Sequence, residues 1–325
     1  MKTSCLLLTM VIYCANPAAH ASALERDEVR NFIDAMSNRH GFSAAELNAV
    51  FERVVFSDAV IEAISRPAEV LPWHQYRTIF LGRDRISQGV AFWRKHAAAL
   101  RRAEEQFGVP AELLVAIIGV ETRFGKIRGK YAVIDALSTL AFDYPKRSAF
   151  FLSELEHFLL LTREQGFNPL MLKGSYAGAM GIPQFVPSSY RHFAIDFDGD
   201  GSIDIWDNPV DAIGCVGNYI RRHGWRTGAA VVVPARVEGD NYKKLVTDGL
   251  KPSHTAEEMQ RHDVTTASDL PEGTLVKLLV LDNGDQYEYW LGLENFYVIT
   301  RYNHSAHYAM AVFQLAEAIN SGYRK

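Results

Sequence analysis

The sequence predicts an α+β protein, predominantly α, with a small antiparallel β insertion. Three observations predict it. Apolar residues recur three and four apart over long stretches, as in Val29, Phe32, Ile33 and Met36. One segment, Leu113 to Val120, has no polar face and reads as a helix sunk in a core. Short β-type runs between turn residues are confined to residues 229–291. A chain of 325 residues, 48% hydrophobic and 22% charged, has ordinary globular composition and length enough for about two domains. A formal net charge of -4 gives no reason to expect a nucleic-acid partner.

The first residues read as an export signal. Lys2 opens it, Leu6 to Tyr13 form an apolar stretch, and Ala19-His20-Ala21 is an A-x-A cleavage site, with cleavage after Ala21 or Ala23. Lipidation at Cys14 is the competing reading, but lipoprotein signals want a small residue before that cysteine and Tyr13 stands there. The expectation is therefore soluble export to the periplasm. Cys5 and Cys14 would leave with the signal, so the mature chain would keep only Cys215 and form no internal disulfide. No later segment is long and apolar enough to be transmembrane.

Residues 22–105 read as an N-terminal helical domain. Ser43-Ala-Ala-Glu46 has the pattern of a capping box, Trp73 to Leu81 is aromatic-rich, and one long amphipathic helix is expected from about Ser87 to Phe107. Residues 106–228 alternate helices with glycine-rich loops, including helices over Ala132–Phe142 and Arg147–Gln165. Residues 229–291 carry the β-type runs, and residues 292–325 return to helix from about His304.

Four segments carry candidate chemistry. Glu121 ends the apolar helix in VAIIGVETRFG. Burial disfavours a charged carboxyl and the negative end of a helix acts the same way, so both favour the protonated form that a general acid needs. A helix-end glutamate paired with arginine or facing solvent is the plain alternative. The second segment, Lys173 to Phe185 (KGSYAGAMGIPQF), sets small residues around Met180, with Ser175 and Gln184 able to hydrogen-bond hydroxyl or amide groups. Its glycines suit either close approach to a ligand or a tight turn.

The third, Asp196 to Asp211, matches an EF-hand calcium loop: Asp196, Asp198, Asp200 and Ser202 at positions 1, 3, 5 and 7, with a glycine at 6. Asp207 takes position 12, where a longer glutamate is usual. Asn208 and Pro209 then read as the N-cap and first residue of a helix, and Asp211 in its first turn can close the site instead. A structural Ca2+ is the expected cofactor. The fourth, Asn295 to Tyr308, is an aromatic-rich strand or loop entering a helix, suited to sugar rings or to a core. His304 and His307 lack a third metal ligand. Cys215, in an apolar helical segment, reads as core. H-E-x-x-H, G-x-S-x-G and GxxxxGK[ST] are all missing from the sequence.

Together GVETRFG, SYAGAMGIPQFVPSSY, DFDGDGSIDIWDNPVDAIG with GNYI, and NFYVITRYN with YAMAV resemble the membrane-bound B type of lytic murein transglycosylase, glycoside hydrolase family 103. The order and spacing of these pieces cover most of residues 70–315. The resemblance implies a lysozyme-like core over 106–228 and a lyase that cleaves the MurNAc-GlcNAc bond of peptidoglycan, leaving 1,6-anhydro-MurNAc ends. It places the catalytic acid on Glu121 and saccharide contacts on Ser175, Gln184, Tyr302, Asn303 and Tyr308, with Tyr76 a further match. Lys146 and Arg147 match a basic pair that meets carboxylates. Calcium ligands fall on Asp196, Asp198, Asp200, the Ser202 carbonyl and Asp211. The implied partners are peptidoglycan glycan strands, with other cell-wall enzymes as a second class. The motifs offer one acid near the site, where ordinary glycosidases use two. A hydrolytic muramidase and a non-catalytic peptidoglycan-binding module remain the alternatives at this point.

Overall fold

The computed structural model describes residues 22–66, 70–247 and 249–325. The signal and Cys14 readings fall on residues 1–21, outside the described residues. Contacts divide the chain into two compact units, one ending at Phe56 and one running from Ser57 to Lys325.

The first unit contains α1 (Asp27–His40) and α2 (Ala44–Phe51). The four residues Val29, Phe32, Ile33 and Met36 are the buried face of α1, as the spacing requires. Ser43 caps α2 by accepting the Glu46 N–H at 3.4 Å, which is one half of the expected box.

In the second unit come α3 (Asp58–Ile64), α4 (Trp73–Phe80), α5 (Arg83–Lys95), α6 (Ala97–Phe107) and α7 (Ala111–Thr122). The single helix expected over 87–107 is two helices, divided at His96. The halves serve different partners, α5 packing on α14 (Ala306–Tyr323) and α6 on α11 (Pro209–Arg222). Trp93, stacked 4.2 Å from Tyr323, ties the end of α5 to α14. The apolar helix α7 is buried almost throughout and packs against α5, α6, α11 and α14.

The short pair β1 (Tyr131–Ala132) and β2 (Lys173–Gly174) brackets α8 (Val133–Asp143) and α9 (Ser148–Gln165), which pack on each other. Next, α10 (Pro187–Phe193) lies on α9. Glu154, buried on α9, anchors α10 by accepting the Ser188 N–H at 2.9 Å and its hydroxyl at 2.7 Å.

The β region holds β3 (Val232–Pro234), β4 (Arg236–Val237), β5 (His254–Thr255), β6 (Val264–Thr265), β7 (Leu275–Asp282) and β8 (Tyr287–Gly292). One antiparallel sheet runs β3-β8-β7-β5, and β4 pairs with β6. The register Asp282↔Tyr287 makes Asn283 to Gln286 the hairpin turn, with the Gly284 N–H held by Asp282 Oδ1 at 2.9 Å. Val233, Tyr242, Leu245, Met259, Val264, Val276, Leu278 and Leu291 form its own core. A short helix, α12 (Ala256–Gln260), starts here on a full capping box between Thr255 and Glu258.

The segment from Asn295, expected as strand or loop, lies for the most part in the helix α13 (Glu294–Thr300). Five of its seven residues are buried, so it has no polar face to betray a helical period. Asn295 docks it, accepting the Arg226 N–H and donating to the Arg226 and Ala229 carbonyls, each at 2.9 Å. No helix among the described residues is long and apolar enough to cross a membrane.

Candidate active site

Helix α7 stops abruptly because three successive residues, Arg123, Phe124 and Gly125, take left-handed backbone angles (φ 54°, 62° and 82°). The Arg123 and Phe124 N–H groups close back on the Gly119 and Ile118 carbonyls at 3.1 and 3.3 Å. This reversal lays the Phe124 ring on Gly119, where a Cβ would come within 2.7 Å of it. The GVETRFG motif is therefore a helix end built around one folded-back ring. It leaves Glu121 in the last turn, partly exposed, on a helix buried almost throughout.

The Glu121 carboxyl has a specific partner. Tyr308, buried on the first turn of α14, donates its phenol to Oε1 at 2.6 Å. Tyr302 lies parallel to Tyr308, ring centroids 6.5 Å apart and planes 13° from parallel, and Tyr219 lies 4.8 Å from Tyr302. Tyr302 donates to the Pro183 carbonyl at 2.6 Å and Tyr219 to the Arg301 carbonyl. Burial, and then the charge of Glu121, pushes the Tyr302 and Tyr308 phenols well above the ordinary tyrosine range. Burial pushes Tyr219 up to about 12. All three phenols therefore keep their protons at neutral pH.

The remaining sequence-derived residues divide in two. Gln184, at φ 52°, donates Nε2 to the Gly181 carbonyl at 2.9 Å and the Arg128 carbonyl at 3.3 Å. Ser175 Oγ accepts the Ala177 and Ala179 N–H groups at 3.2 and 3.1 Å. Both side chains shape the glycine-rich turns. The glycines themselves meet protein: a Cβ on Gly181 would fall 2.5 Å from the Ile205 carbonyl oxygen. The tight-turn reading thus accounts for that position. Asn303, partly buried, accepts the Ser305 N–H on its carbonyl at 2.7 Å just before α14. Tyr76 is buried on α4, its ring 5.5 Å from that of His307. Lys146 and Arg147 stand exposed on the turn between α8 and α9, the Arg147 guanidinium 4.2 Å from the Phe150 ring centroid. Cys215 is buried, and burial pushes its thiol up to about 12, which suits a core residue and not a nucleophile.

In the acidic loop, Asp196, Asp198 and Asp211 bring carboxylate oxygens within 4.8 Å of one another. Three hard oxygen donors at that spacing can hold a divalent cation. Asp200 is turned to its own backbone, accepting the Ser202 N–H at 2.8 Å. Asp207 pairs with Arg128 at 2.6 Å, so position 12 does not close the loop. Asp211 does so from inside: fully buried, it accepts the Phe197, Asp198 and Asp204 N–H groups. Asn208 caps α11 as its sequence position demands. Burial raises the Asp211 carboxyl, while the Gly201 N–H, with those of Gly199 and Asp200, lowers Asp196.

Sequence reasoning missed Thr122, whose buried hydroxyl donates to the Ile182 carbonyl at 2.9 Å, with Arg128 and Tyr219, as parts of this group. Tyr219 lay within the GNYI motif, but nothing in the sequence tied it to Glu121, 98 positions earlier by number. Thr122 and Arg128 carry no signal beyond proximity to Glu121.

The family of the transglycosylase SLT domain matches residues 25–317. Membrane-bound lytic murein transglycosylase B of Escherichia coli (strain K12) is 45% identical over 300 residues, 89% of this chain and 82% of that protein. Soluble lytic transglycosylase SltB1 of Pseudomonas aeruginosa superposes with a TM-score of 0.86 at 50% identity, covering 92% of this chain and 100% of that one. Escherichia coli lytic transglycosylase Slt35 in complex with calcium gives 0.84 at 44% identity, covering 92% and 94%. With matches this long, the chain belongs to the SLT-domain transglycosylase family.

Proposed function

We propose that this protein is a lytic transglycosylase that cleaves the MurNAc-GlcNAc β-1,4 bond of peptidoglycan and leaves 1,6-anhydro-MurNAc ends. Glu121 serves as its single acid and then base. The observation that carries the assignment is the Glu121 carboxyl fixed at the end of a buried helix by the Tyr308 phenol. Protonated Glu121 donates to the glycosidic oxygen, and the departing GlcNAc takes that proton. Charge developing at C1 of the muramic sugar is met by the sugar's own N-acetyl oxygen. The Glu121 carboxylate then accepts the proton of the C6 hydroxyl, whose oxygen attacks C1 and closes the anhydro ring. No water enters, so neither a nucleophilic carboxylate nor a second base is required. Tyr308 sets the rotation of the carboxyl through Oε1, and its high pKa keeps it a donor throughout.

Ser175, Gln184, Tyr302, Asn303, Tyr308 and Tyr76 are proposed to line the saccharide site, with Lys146 and Arg147 meeting substrate carboxylates. Because Ser175 and Gln184 also brace the turns, they act partly by fixing geometry. The acidic loop is proposed to take Ca2+ on Asp196, Asp198 and Asp211, joined by Asp200 and the Ser202 carbonyl. A bound cation would neutralise converging carboxylates and stiffen the loop. Export to the periplasm by a cleavable signal is supported by Lys2, the Leu6–Tyr13 run and Ala19-His20-Ala21. The intact mass of protein recovered from the periplasm tests it: a chain retaining residues 1–21 would count against cleavage.

The deciding experiment treats purified sacculi with the wild-type protein and Glu121→Gln. Wild type should release muropeptides one water lighter than reducing-end products by mass, and Glu121→Gln should release none while still melting normally. Reducing ends would assign a hydrolase instead, and binding without release a non-catalytic module. Lysis by Glu121→Gln would refute the acid assignment.

A further inference from the structure

We propose that Thr122 is a positioning residue for this reaction, its buried hydroxyl fixing the end of the catalytic helix against the turn that carries Gln184. The proposal deepens, and rests on, the reading of Glu121 as the acid. Thr122 is fully buried at the end of an apolar helix, where a hydroxyl needs a partner. A helical threonine ordinarily turns its hydroxyl to the carbonyl four residues back. Here that carbonyl, Ile118, is 3.3 Å away, while the Ile182 carbonyl across the chain is at 2.9 Å. The same oxygen accepts the Gly125 N–H at 3.0 Å, so it also holds the left-handed reversal that ends the helix.

The Ile182 peptide is gripped on its other side as well, its N–H donating to the Ile205 carbonyl at 2.7 Å. Two residues on, Gln184 is pinned to the Gly181 and Arg128 carbonyls. The Arg128 guanidinium returns to the Trp206 carbonyl and to Asp207. These bonds close a ring from Thr122 through Ile182, the 205–207 segment and Arg128 to Gln184. Thr122 links this ring directly to the last turn of α7, and Glu121 is the adjoining residue. A shift at that link moves the acid relative to the saccharide-facing turn without unmaking either. Misplacement of a reacting group by about 1 Å can cost about 100-fold in rate, so the link is large enough to read kinetically.

The test compares Thr122→Val, which keeps the shape and removes the hydroxyl, with Thr122→Ser, which keeps the hydroxyl. Assayed on soluble glycan strands, Thr122→Val should lose about 10- to 100-fold in kcat with KM within about threefold, a split expected when geometry at the acid is disturbed. Thr122→Ser should stay within about threefold of wild type. Should the valine variant melt below the assay temperature, Thr122→Cys, a poor donor of similar size, takes its place under the same criterion. A kcat within about threefold of wild type in the hydroxyl-free variant overturns the proposal, as does equal loss in Thr122→Ser. Glu121→Gln run alongside separates the two ideas: if it is active the acid assignment fails, and if it is inactive while Thr122→Val is fully active only the positioning role fails.

Discussion

Gly181 gives the sharpest quantitative test of the site's architecture. Its φ of 68° lies in the left-handed region, which costs an L-residue about 1–2 kcal/mol. An alanine Cβ there would also stand 2.5 Å from the Ile205 carbonyl oxygen and 2.9 Å from its carbon. These are backbone atoms that cannot swing aside, and overpacking of this kind costs about 1–3 kcal/mol. Relief requires the turn to retreat from Ile205, which breaks the Ile182–Ile205 hydrogen bond and adds about 1 kcal/mol. The total for Gly181→Ala is about 3–6 kcal/mol, or a fall in Tm of about 6–24 °C at about 2–4 °C per kcal/mol for a unit of this size. Gly166 supplies the control, because it has the same φ of 68° and nothing within 4 Å of a built Cβ. Gly166→Ala should therefore show only the backbone cost, a fall of about 2–8 °C. Scanning calorimetry on both variants isolates the close approach as the difference. Equal melting temperatures would refute the argument that Gly181 is required by the Ile205 carbonyl.

Three other outcomes follow from the same structure. Calcium at about 100 times its Kd should raise stability by about 2.7 kcal/mol, and Asp196→Asn should abolish the rise; a wild-type melting curve indifferent to calcium would remove the cation from the loop. Glu154→Ala should cost about 2–4 kcal/mol by freeing the Ser188 N–H and hydroxyl, measured by urea unfolding, and an unchanged midpoint would show that α10 is anchored elsewhere. Burial lowers the His157 pKa from the ordinary 6.5, and its Nδ1 lies 2.6 Å from the donor-only Arg191 guanidinium. The folded state therefore resists the proton more than the unfolded chain does. Stability from this group is full above about pH 6.5 and is lost as the pH falls through the folded pKa. His157→Asn, which keeps an acceptor but cannot titrate, should flatten the decline in Tm between about pH 7 and pH 5, and an unaltered slope would assign that decline to other groups.

What the sequence disclosed was whatever local chemistry dictates. A helix without a polar face has one place to go, and α7 is buried as its composition demanded. Asn208-Pro209 capped a helix because side-chain oxygen and fixed φ act within three residues, and Asp-x-Asp-x-Asp-Gly made an acidic loop for the same reason. Legibility failed where the deciding partner was distant. Residues 294–300 looked extended because a helix buried on most sides loses its period, and the helix 87–107 divided because its halves pack on α14 and α11. Tyr308 was read from the resemblance as a sugar contact, but nothing in the sequence tied its phenol to Glu121, 187 residues away, to which it donates.

The same distance effect explains why the motif glycines mislead when read one segment at a time. Gly119 is required by Phe124, and Gly181 by Ile205. Each glycine answers to a residue in its own or another motif, so a substitution in one segment is felt in the next. Glu121 can be conserved in type and still lose its setting if the Gly181 turn retreats, because the helix end, the Gln184 turn and the exit of the acidic loop share one set of hydrogen bonds. That coupling also bears on the acidic loop. Asp211 holds Asp204 by its N–H, and Ile205 next to it holds the turn. Loosening the acidic loop should therefore reach the Gly181–Gln184 turn through the adjacent residues Asp204 and Ile205.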